Sequence, residues 1–223
     1  MTLFHYPKAA AFGRVVPKNK IYQHAKPSRA VKQHFVDQID KIIWRYKLAP
    51  ETVNLPRNRS VPEIEIFEIH LKTRELGEGV LRVIDQAIPF PILFELHYQG
   101  QIKFTAAYKR PSEADSEKWV VDGYLGSSWL PAETERTPLP VALDLARLYE
   151  QLLRVLLPLP GRVGETLQGQ LSRYAEIERK ERERDKLENR LHREKQFNRK
   201  VEINAQLREI EKMLNTLMKV KAG

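Results

Sequence analysis

The chain of 223 residues has a hydrophobic fraction of 42% and a net charge of +9, and it contains no cysteine. This length suffices for one domain with a sizeable core, or for a smaller domain with an appendage. The lack of cysteine excludes disulfides, thiolate zinc sites and a cysteine nucleophile. We find neither an apolar run of membrane-spanning length nor the apolar core of a signal peptide, and we therefore expect a cytoplasmic protein.

The positive charge is unevenly distributed along the chain. Residues 1–60 contain 12 Lys and Arg against 3 Asp and Glu, residues 61–160 contain 10 against 15, and residues 161–223 contain 16 against 11. A basic front, an acidic middle and a basic tail indicate a polyanionic partner, or attraction between segments of the chain itself. Ordinary surface solubility is the simpler alternative.

The N-terminal part divides into two predicted segments. Residues 1–27 are basic and contain three prolines, so we expect an irregular segment held by a few aromatic side chains. Ser28 follows Pro27 and is a good helix N-cap. Apolar residues then recur at helical spacing, which predicts an amphipathic helix over residues 29–47.

The central part alternates strand and helix patterns. EIEIFEIHLK reads as a strand with apolar residues on both faces, which implies burial on both sides or a bulge. A helix of about three turns follows, closed by Pro89 and Pro91. PILFELHYQ and IKFTAAYKR, separated at Gly100, predict a hairpin. After the polar loop PSEADSE, KWVVDGYLGSSW predicts a third strand, and a helix over residues 140–157 returns to cover the sheet.

This order of elements predicts an α+β fold with a mixed sheet of about four strands flanked by helices. The core domain then spans residues 28–160. Residues 161–223 form a separate, highly charged helical segment whose last apolar residues follow a heptad spacing. Phe197 falls out of phase with the apolar stripes on either side of it. The segment is either an antiparallel hairpin that reverses near Gln196–Asn198 or one long helix that forms a homodimer.

Two strands carry the same short motif of a glutamate and a histidine. Glu68 and His70, and likewise Glu95 and His97, are two residues apart, so each pair lies on one face of its strand. Together with Asp122, these residues are candidates for a metal-dependent nuclease site. Surface residues of a half-solvated sheet are the plainer interpretation, because such spacing is common by chance.

Other catalytic signatures are missing from the sequence. The hairpin contains no acid-x-Lys motif, and neither a phosphate-binding glycine loop nor a serine hydrolase elbow occurs. We therefore predict no catalytic residue, no metal and no cofactor, and we lean against an enzyme.

Basic residues with interleaved aromatics favour nucleic-acid binding, since cations neutralise phosphates and aromatic rings stack on exposed bases. Solvated surface is the alternative at both places where they occur. The N-terminal candidates are Arg14, Lys18, Lys20, Tyr22, Lys26, Arg29 and Lys32. The C-terminal candidates surround the possible turn and are Arg190, Arg193, Lys195, Arg199 and Lys200.

Four stretches together carry a family resemblance: KNKIYQHAKPSRAVKQHFVDQIDKIIWRYKLAPETVNLP, VPEIEIF, IPFPILFEL and REKQFNRKVEINAQLR. The chain resembles the prokaryotic family called domain of unknown function 4391 over nearly its whole length. The resemblance implies a setting beside DNA methyltransferases and helicase-like ATPases, as in restriction or phage-defence islands, and it transfers no catalytic residue.

These observations favour a non-catalytic accessory subunit of a DNA-modification, restriction or phage-defence assembly. It would bind a partner protein, a methyltransferase or helicase-like ATPase by resemblance, and nucleic acid through its basic segments. The alternatives are the metal-dependent nuclease and a protein-interaction scaffold that does not bind nucleic acid.

Overall fold

The structure is a computed structural model that describes residues 3–112 and 119–219. Contacts within the chain divide it into two units, Met1–Leu156 and Leu157–Gly223. No helix in the described ranges combines the length and the apolar character that a membrane crossing needs.

The first unit contains nine strands and five α-helices among its described residues. The strands are β1 (Leu3–His5), β2 (Ala11–Val15), β3 (Ile39–Leu48), β4 (Ile64–Leu71), β5 (Ile92–Tyr98), β6 (Gln101–Pro111), β7 (Trp119–Gly126), β8 (Leu130–Pro131) and β9 (Arg136–Pro138). The helices are α1 (Lys18–Ala25), α2 (Arg29–Gln38), α3 (Pro50–Val53), α4 (Glu78–Ala87) and α5 (Leu145–Leu156), and a 3-10 turn covers Lys8–Ala10.

A mixed sheet of seven strands organises this unit, so the prediction of about four strands was too small. Its order is β2-β3-β4-β5-β6-β7, and β8 also pairs with β6. All pairs are antiparallel except β4 with β5, which are parallel and are connected through α4. A second, two-stranded parallel sheet joins β1 to β9.

The core explains why β4 is apolar on both faces. Phe67 and Ile69 belong to a cluster with Val80 and Ile84 of α4, whereas Ile66 alternates with them along the strand and is also fully buried. Burial on both sides, one of the two predicted alternatives, is therefore confirmed. The predicted three-turn helix is α4, and its apolar side faces this cluster.

The structure corrects the prediction for the N-terminal part. Residues 1–27 are not irregular, because they include β1, β2 and α1. Ser28 caps α2, since its Oγ accepts the Val31 N–H at 3.4 Å. However, α2 ends at Gln38, and the second half of the predicted helix is strand β3. The stretch IDKIIWRYKL is rich in β-branched and aromatic residues and pairs with both β2 and β4, which outweighs its helical spacing.

Most of the other predicted elements are present. The hairpin β5–β6 turns through Gln99 and Gly100, both with positive φ, and β7 is the predicted third strand. The predicted helix over residues 140–157 begins later, at Leu145, and β8 and β9 were not predicted. Residues 113–118 of the polar loop lie outside the described residues.

The second unit is an antiparallel pair of helices, α6 (Leu167–Arg193) and α7 (Phe197–Met218). Ile177 of α6 packs with Ile210 and Leu214 of α7 in one apolar cluster. Arg173, near the start of α6, donates to the carbonyl oxygen of Leu217 at 3.0 Å, which places the end of α7 beside the start of α6. Of the two predicted alternatives, the chain adopts the hairpin, with its turn at residues 194–196.

Candidate functional site

The two Glu-x-His motifs meet in the sheet. In the parallel pair β4–β5, Glu68 lies opposite Glu95 and His70 lies opposite His97. These four residues form what we call the Glu–His cluster. The spacing within each strand predicted a shared face, and the register of β4 against β5 adds that the two pairs are direct neighbours.

Short contacts join the members of the cluster. His70 Nε2 lies 2.7 Å from Glu68 Oε1, and His97 Nε2 lies 4.0 Å from the same oxygen and 3.8 Å from Glu95 Oε2. The two imidazole rings stack with centroids 5.1 Å apart. The arrangement is therefore a set of alternating carboxylates and imidazoles on one patch of the sheet.

Arginines from two other strands engage the carboxylates. Arg136 of β9 donates to both oxygens of Glu95, at 3.2 and 3.0 Å, and Arg45 Nε of β3 lies 3.4 Å from Glu68 Oε2. Burial opposes ionisation of Glu95, but the contacts with His97 and Arg136 outweigh it and hold the pKa of this carboxyl below its usual range. Arg136 also donates to the Phe4 carbonyl oxygen, so the cluster anchors β1 and β9 to the main sheet.

Two buried polar atoms at the cluster lack a hydrogen-bond partner within the described residues: Tyr6 Oη and His97 Nε2. Burial and the nearby Glu95 raise the pKa of Tyr6. Such atoms are satisfied by water in most proteins. They show that the cluster is polar and that its part around Glu95 is buried, whereas the His70 side chain is 34% exposed.

The cluster offers little support for the alternative of a metal-dependent nuclease. Within residues 3–112 and 119–219, no three His, Asp or Glu side chains are arranged to hold a metal ion. Asp122 is not in the cluster: it lies on β7, two strands from β5, with its Oδ2 3.9 Å from Arg110 Nε. The arginines at Glu68 and Glu95 supply the positive charge that a metal would otherwise bring.

A separate ionisable group is buried at Glu65, which faces away from the cluster and has no exposed surface. Trp44 Nε1 donates to its Oε2 at 2.6 Å. Burial and the neighbouring Glu63 carboxylate raise the pKa of Glu65 to about 8, against smaller opposing effects of Trp44 and Lys47. Glu65 is therefore protonated in the folded protein at neutral pH.

Stability should fall as pH rises because of Glu65. An unfolded glutamate ionises near pH ~4.3, so between that pH and about 8 the folded state keeps a proton that the unfolded state has lost. We expect the free energy of unfolding to decrease by about 1–3 kcal/mol across this window. Glu65→Gln keeps the acceptor for Trp44 and should remove most of the decrease in urea denaturation at pH 5, 6.5 and 8. The exposed Glu78→Gln should leave it intact, and an unchanged slope in Glu65→Gln would contradict this interpretation.

Some of the N-terminal candidates for nucleic-acid binding make contacts within the protein itself. Lys18 Nζ donates to the carbonyl oxygens of Phe35 and Ile39, at 2.9 and 2.6 Å, and burial lowers the pKa of this lysine. Its role is to bind the end of α2.

Two other N-terminal cations lie over aromatic rings, Arg14 over Phe12 and Lys32 over Tyr22. The edge of the Tyr22 ring packs against Phe35, so this ring is a structural contact. The remaining candidates, Lys20, Lys26 and Arg29, are exposed.

The C-terminal candidates converge where α6 ends and α7 begins. All five side chains are exposed and surround the turn; we call them the basic tip: Arg190, Arg193, Lys195, Arg199 and Lys200. Within the part of the chain that the structure describes, none of the five forms a side-chain hydrogen bond or an ion pair. The turn thus brings together charges that a single straight helix would spread along its length.

The carboxylate inside this group is bound to the backbone of the turn. Glu194 Oε1 accepts the N–H groups of Lys195 and Gln196, at 2.8 and 2.9 Å. These two hydrogen bonds, with the nearby Arg199 and Arg190, lower the pKa of Glu194. Glu194 therefore shapes the turn, and the surrounding cations remain directed to solvent.

The stem of the hairpin, meaning the parts of α6 and α7 away from the turn, differs from the basic tip in its ion pairing. On α6 the charged residues pair within the helix, as in Arg179–Glu176 at 3.4 Å, Lys180–Glu183 at 2.9 Å and Arg182–Glu178 at 4.0 Å. Pairs of this kind are an ordinary solvated helix face. The concentration of unpaired cations begins only beyond Glu188.

Several residues of these sites could not be found from the sequence. Arg136 and Tyr6 reach the Glu–His cluster through β9 and β1, whose pairing joins residues more than 130 positions apart. The apolar spacing predicts a helix at Arg45, which lies instead in β3. No local signal marks any of the three as a partner of Glu68 or Glu95.

Comparison with known proteins gives one match. No curated protein and no solved structure matched the sequence. A family model described as a domain of unknown function, DUF4391, matches residues 4–214. This range covers most of both units, including the Glu–His cluster and the basic tip, and it agrees with the resemblance that the sequence motifs carry. The chain belongs to the DUF4391 family.

Proposed function

We propose that this protein is a non-catalytic accessory component that binds nucleic acid through the basic tip. The observation that supports the proposal is the convergence of five exposed cations at the end of the helical hairpin, with Glu194 turned onto the backbone. Binding of several phosphates by such a group releases counterions and is therefore favourable and dependent on salt.

A hairpin suits this role mechanically. Its two helices are held together by the apolar cluster and by the contacts of Arg173, both distant along the helices from the turn. The tip can therefore contact a ligand without disturbing the packing that maintains it. The setting implied by the family, beside DNA methyltransferases and helicase-like ATPases, makes DNA the first ligand to test.

Neutralising the tip should weaken binding of a labelled oligonucleotide, followed by fluorescence anisotropy across a salt series. For the triple variant Arg193→Gln, Lys195→Gln and Arg199→Gln we expect about tenfold weaker binding at moderate salt. We also expect the slope of log K against log salt to become shallower by about 2–3. Each phosphate contact contributes ~0.7–0.9 to the magnitude of this slope, and the variant loses three cations.

The matched control removes the same net charge from the stem. Arg179, Arg182 and Lys212 are all exposed and pair with Glu176, Glu178 and Glu209. Their triple replacement by Gln should change affinity less than the tip variant does. Equal effects of the two triples would show that net charge alone is responsible. If the wild type bound no oligonucleotide at any salt, the scaffold alternative would replace the proposal.

A further inference from the structure

One residue beside the basic tip is unlike its neighbours. Phe197, the first residue of α7, is 77% exposed, and Val201 one turn later is 52% exposed. Among the large apolar side chains that are exposed in the described ranges, Phe197 is the only aromatic one.

The position of Phe197 on α7 keeps it out of the hairpin core. The buried stripe of this helix begins at Ile203 and continues through Leu207, Ile210 and Leu214. Ile203 lies six positions after Phe197, which corresponds to a rotation of about 240° at ~3.6 residues per turn. Phe197 therefore lies on a different face of α7 from this buried stripe, and packing within the hairpin does not explain an aromatic ring at this position.

The surroundings of the ring indicate what it contacts. Lys195 lies two positions before it, Arg199 and Lys200 lie two and three positions after it, and Arg190 and Arg193 lie in the last turn of α6, which residues 194–196 connect to α7. An apolar groove on a protein would accept the ring but would also have to accommodate five cations. A nucleic acid meets both requirements, because its phosphates bind cations and its bases stack on aromatic rings.

We propose that Phe197 stacks on an unpaired base while the basic tip holds the flanking phosphates, so that the protein prefers single-stranded or frayed nucleic acid to intact duplex. This inference rests on the proposed function of the tip. Phosphate contacts alone do not distinguish the two forms by their bases, whereas the faces of bases within a duplex are covered by their neighbours.

The test compares two single strands that differ only in their bases: a pyrimidine strand and an abasic strand with the same number of phosphates. We expect the wild type to bind the pyrimidine strand at least about fivefold more tightly, the smallest effect of one base–aromatic stack. Phe197→Leu keeps an apolar side chain without the ring and should abolish this preference without weakening binding to the abasic strand. Phe197→Trp should retain the preference.

Phe197→Trp also supplies a direct readout. The wild type contains three tryptophans, and the variant should show additional fluorescence quenching on the pyrimidine strand and none on the abasic strand. Equal binding of both strands by the wild type, or full preference in Phe197→Leu, would overturn the stacking role while leaving the tip as a phosphate-binding site. Failure to bind either strand would instead refute the proposed function itself. Thermal denaturation should show equal stability for all three proteins, since the ring is exposed.

Discussion

Replacing Lys109 by Met should lower the free energy of unfolding by about 3–5 kcal/mol, the usual cost of removing one partner of a buried ion pair. Lys109 lies on β6 and is 1% exposed, and Asp85 of α4 is 3% exposed. Their Nζ and Oδ1 atoms are 3.4 Å apart. A methionine fills a similar volume, so the loss would reflect charge and hydrogen bonding and not a cavity.

The contacts of Lys109 explain the size of this effect. Its Nζ donates to the backbone oxygen of Asp85 at 2.6 Å and to that of Ile88, where α4 ends, as well as to the Asp85 carboxylate. Burial lowers the pKa of Lys109 and raises that of Asp85, and their mutual attraction opposes both shifts. Three acceptors match the three N–H groups of an ammonium, and we therefore assign the charged form. When the Lys109 ammonium is removed, two carbonyl oxygens and the Asp85 carboxylate stay buried with fewer hydrogen-bond donors.

A second substitution separates charge from hydrogen bonding. In Lys109→Met with Asp85→Asn the uncompensated carboxylate is gone, and Tyr124, which donates to Asp85 Oδ2, still has an acceptor. We expect the double variant to recover about half of the loss in urea denaturation monitored by circular dichroism. A double variant less stable than Lys109→Met alone would argue against an ion pair at this position.

This pair also shows what sequence reasoning could not supply. The sequence of β6 has no acid two residues before Lys109, so the strand itself offers this lysine no carboxylate partner at that spacing. Its carboxylate partner comes from α4, 24 residues away. Such a contact depends on how a helix lies on the sheet, and the local pattern of β6 carries no information about that packing.

The prediction of a helix over the residues of β3 was wrong for a different reason. Phe35, Ile39, Ile42 and Tyr46 satisfy a helical period, and the residues between them are compatible with either structure. The choice is made by tertiary pairing, because β3 lies between β2 and β4 and completes the sheet there. The β-branched and aromatic content of IDKIIWRYKL indicates a strand, but the helical spacing of its apolar residues favours a helix when it is used alone.

Local patterns were sufficient where the interacting residues are near in sequence. The β5–β6 hairpin follows from Gly100, whereas the phase change around Phe197 left two alternatives for the second unit, an antiparallel hairpin and one long helix, of which the structure has the hairpin. The Glu–His cluster is intermediate: alternation along each strand predicts the shared face, whereas the pairing of Glu68 with Glu95 requires the parallel register. The basic tip was predictable because all of its residues lie within eleven positions.

Arg173 should be the residue on which the second unit depends most. Its side chain is 5% exposed and binds both oxygens of Glu165, at 2.8 and 2.7 Å. It also donates to the carbonyl oxygens of Pro160 at 2.8 Å and Leu217 at 3.0 Å. One guanidinium thus connects the segment before α6, the first turns of α6 and the end of α7.

Arg173→Met should destabilise the hairpin by about 3 kcal/mol, since buried carbonyl oxygens and a carboxylate lose their donors. Arg173→Lys should cost nearly as much, because an ammonium cannot reproduce the planar fork that serves three groups. In the full-length protein, amide hydrogen exchange over residues 203–214 should accelerate roughly 100-fold, which reports opening of α7 separately from unfolding of the sheet. Arg179 is exposed on α6 and pairs with Glu176 at 3.4 Å, so Arg179→Lys is the matched control and should leave exchange nearly unchanged.

The same contacts set the response of the hairpin to acid. The hydrogen bonds from Arg173, aided by the backbone N–H and charge of Arg162, lower the pKa of Glu165 to about 2. Because an unfolded glutamate ionises near ~4.3, the stabilisation is fully present above that pH and is lost as pH falls toward 2. Hydrogen exchange in α7 should therefore become less protected across that window in the wild type and change little in Arg173→Met. Equal loss of protection in both proteins would show that protonation of Glu165 does not open the hairpin. The contacts that hold α7 against α6 would then be those of the apolar cluster of Ile177, Ile210 and Leu214.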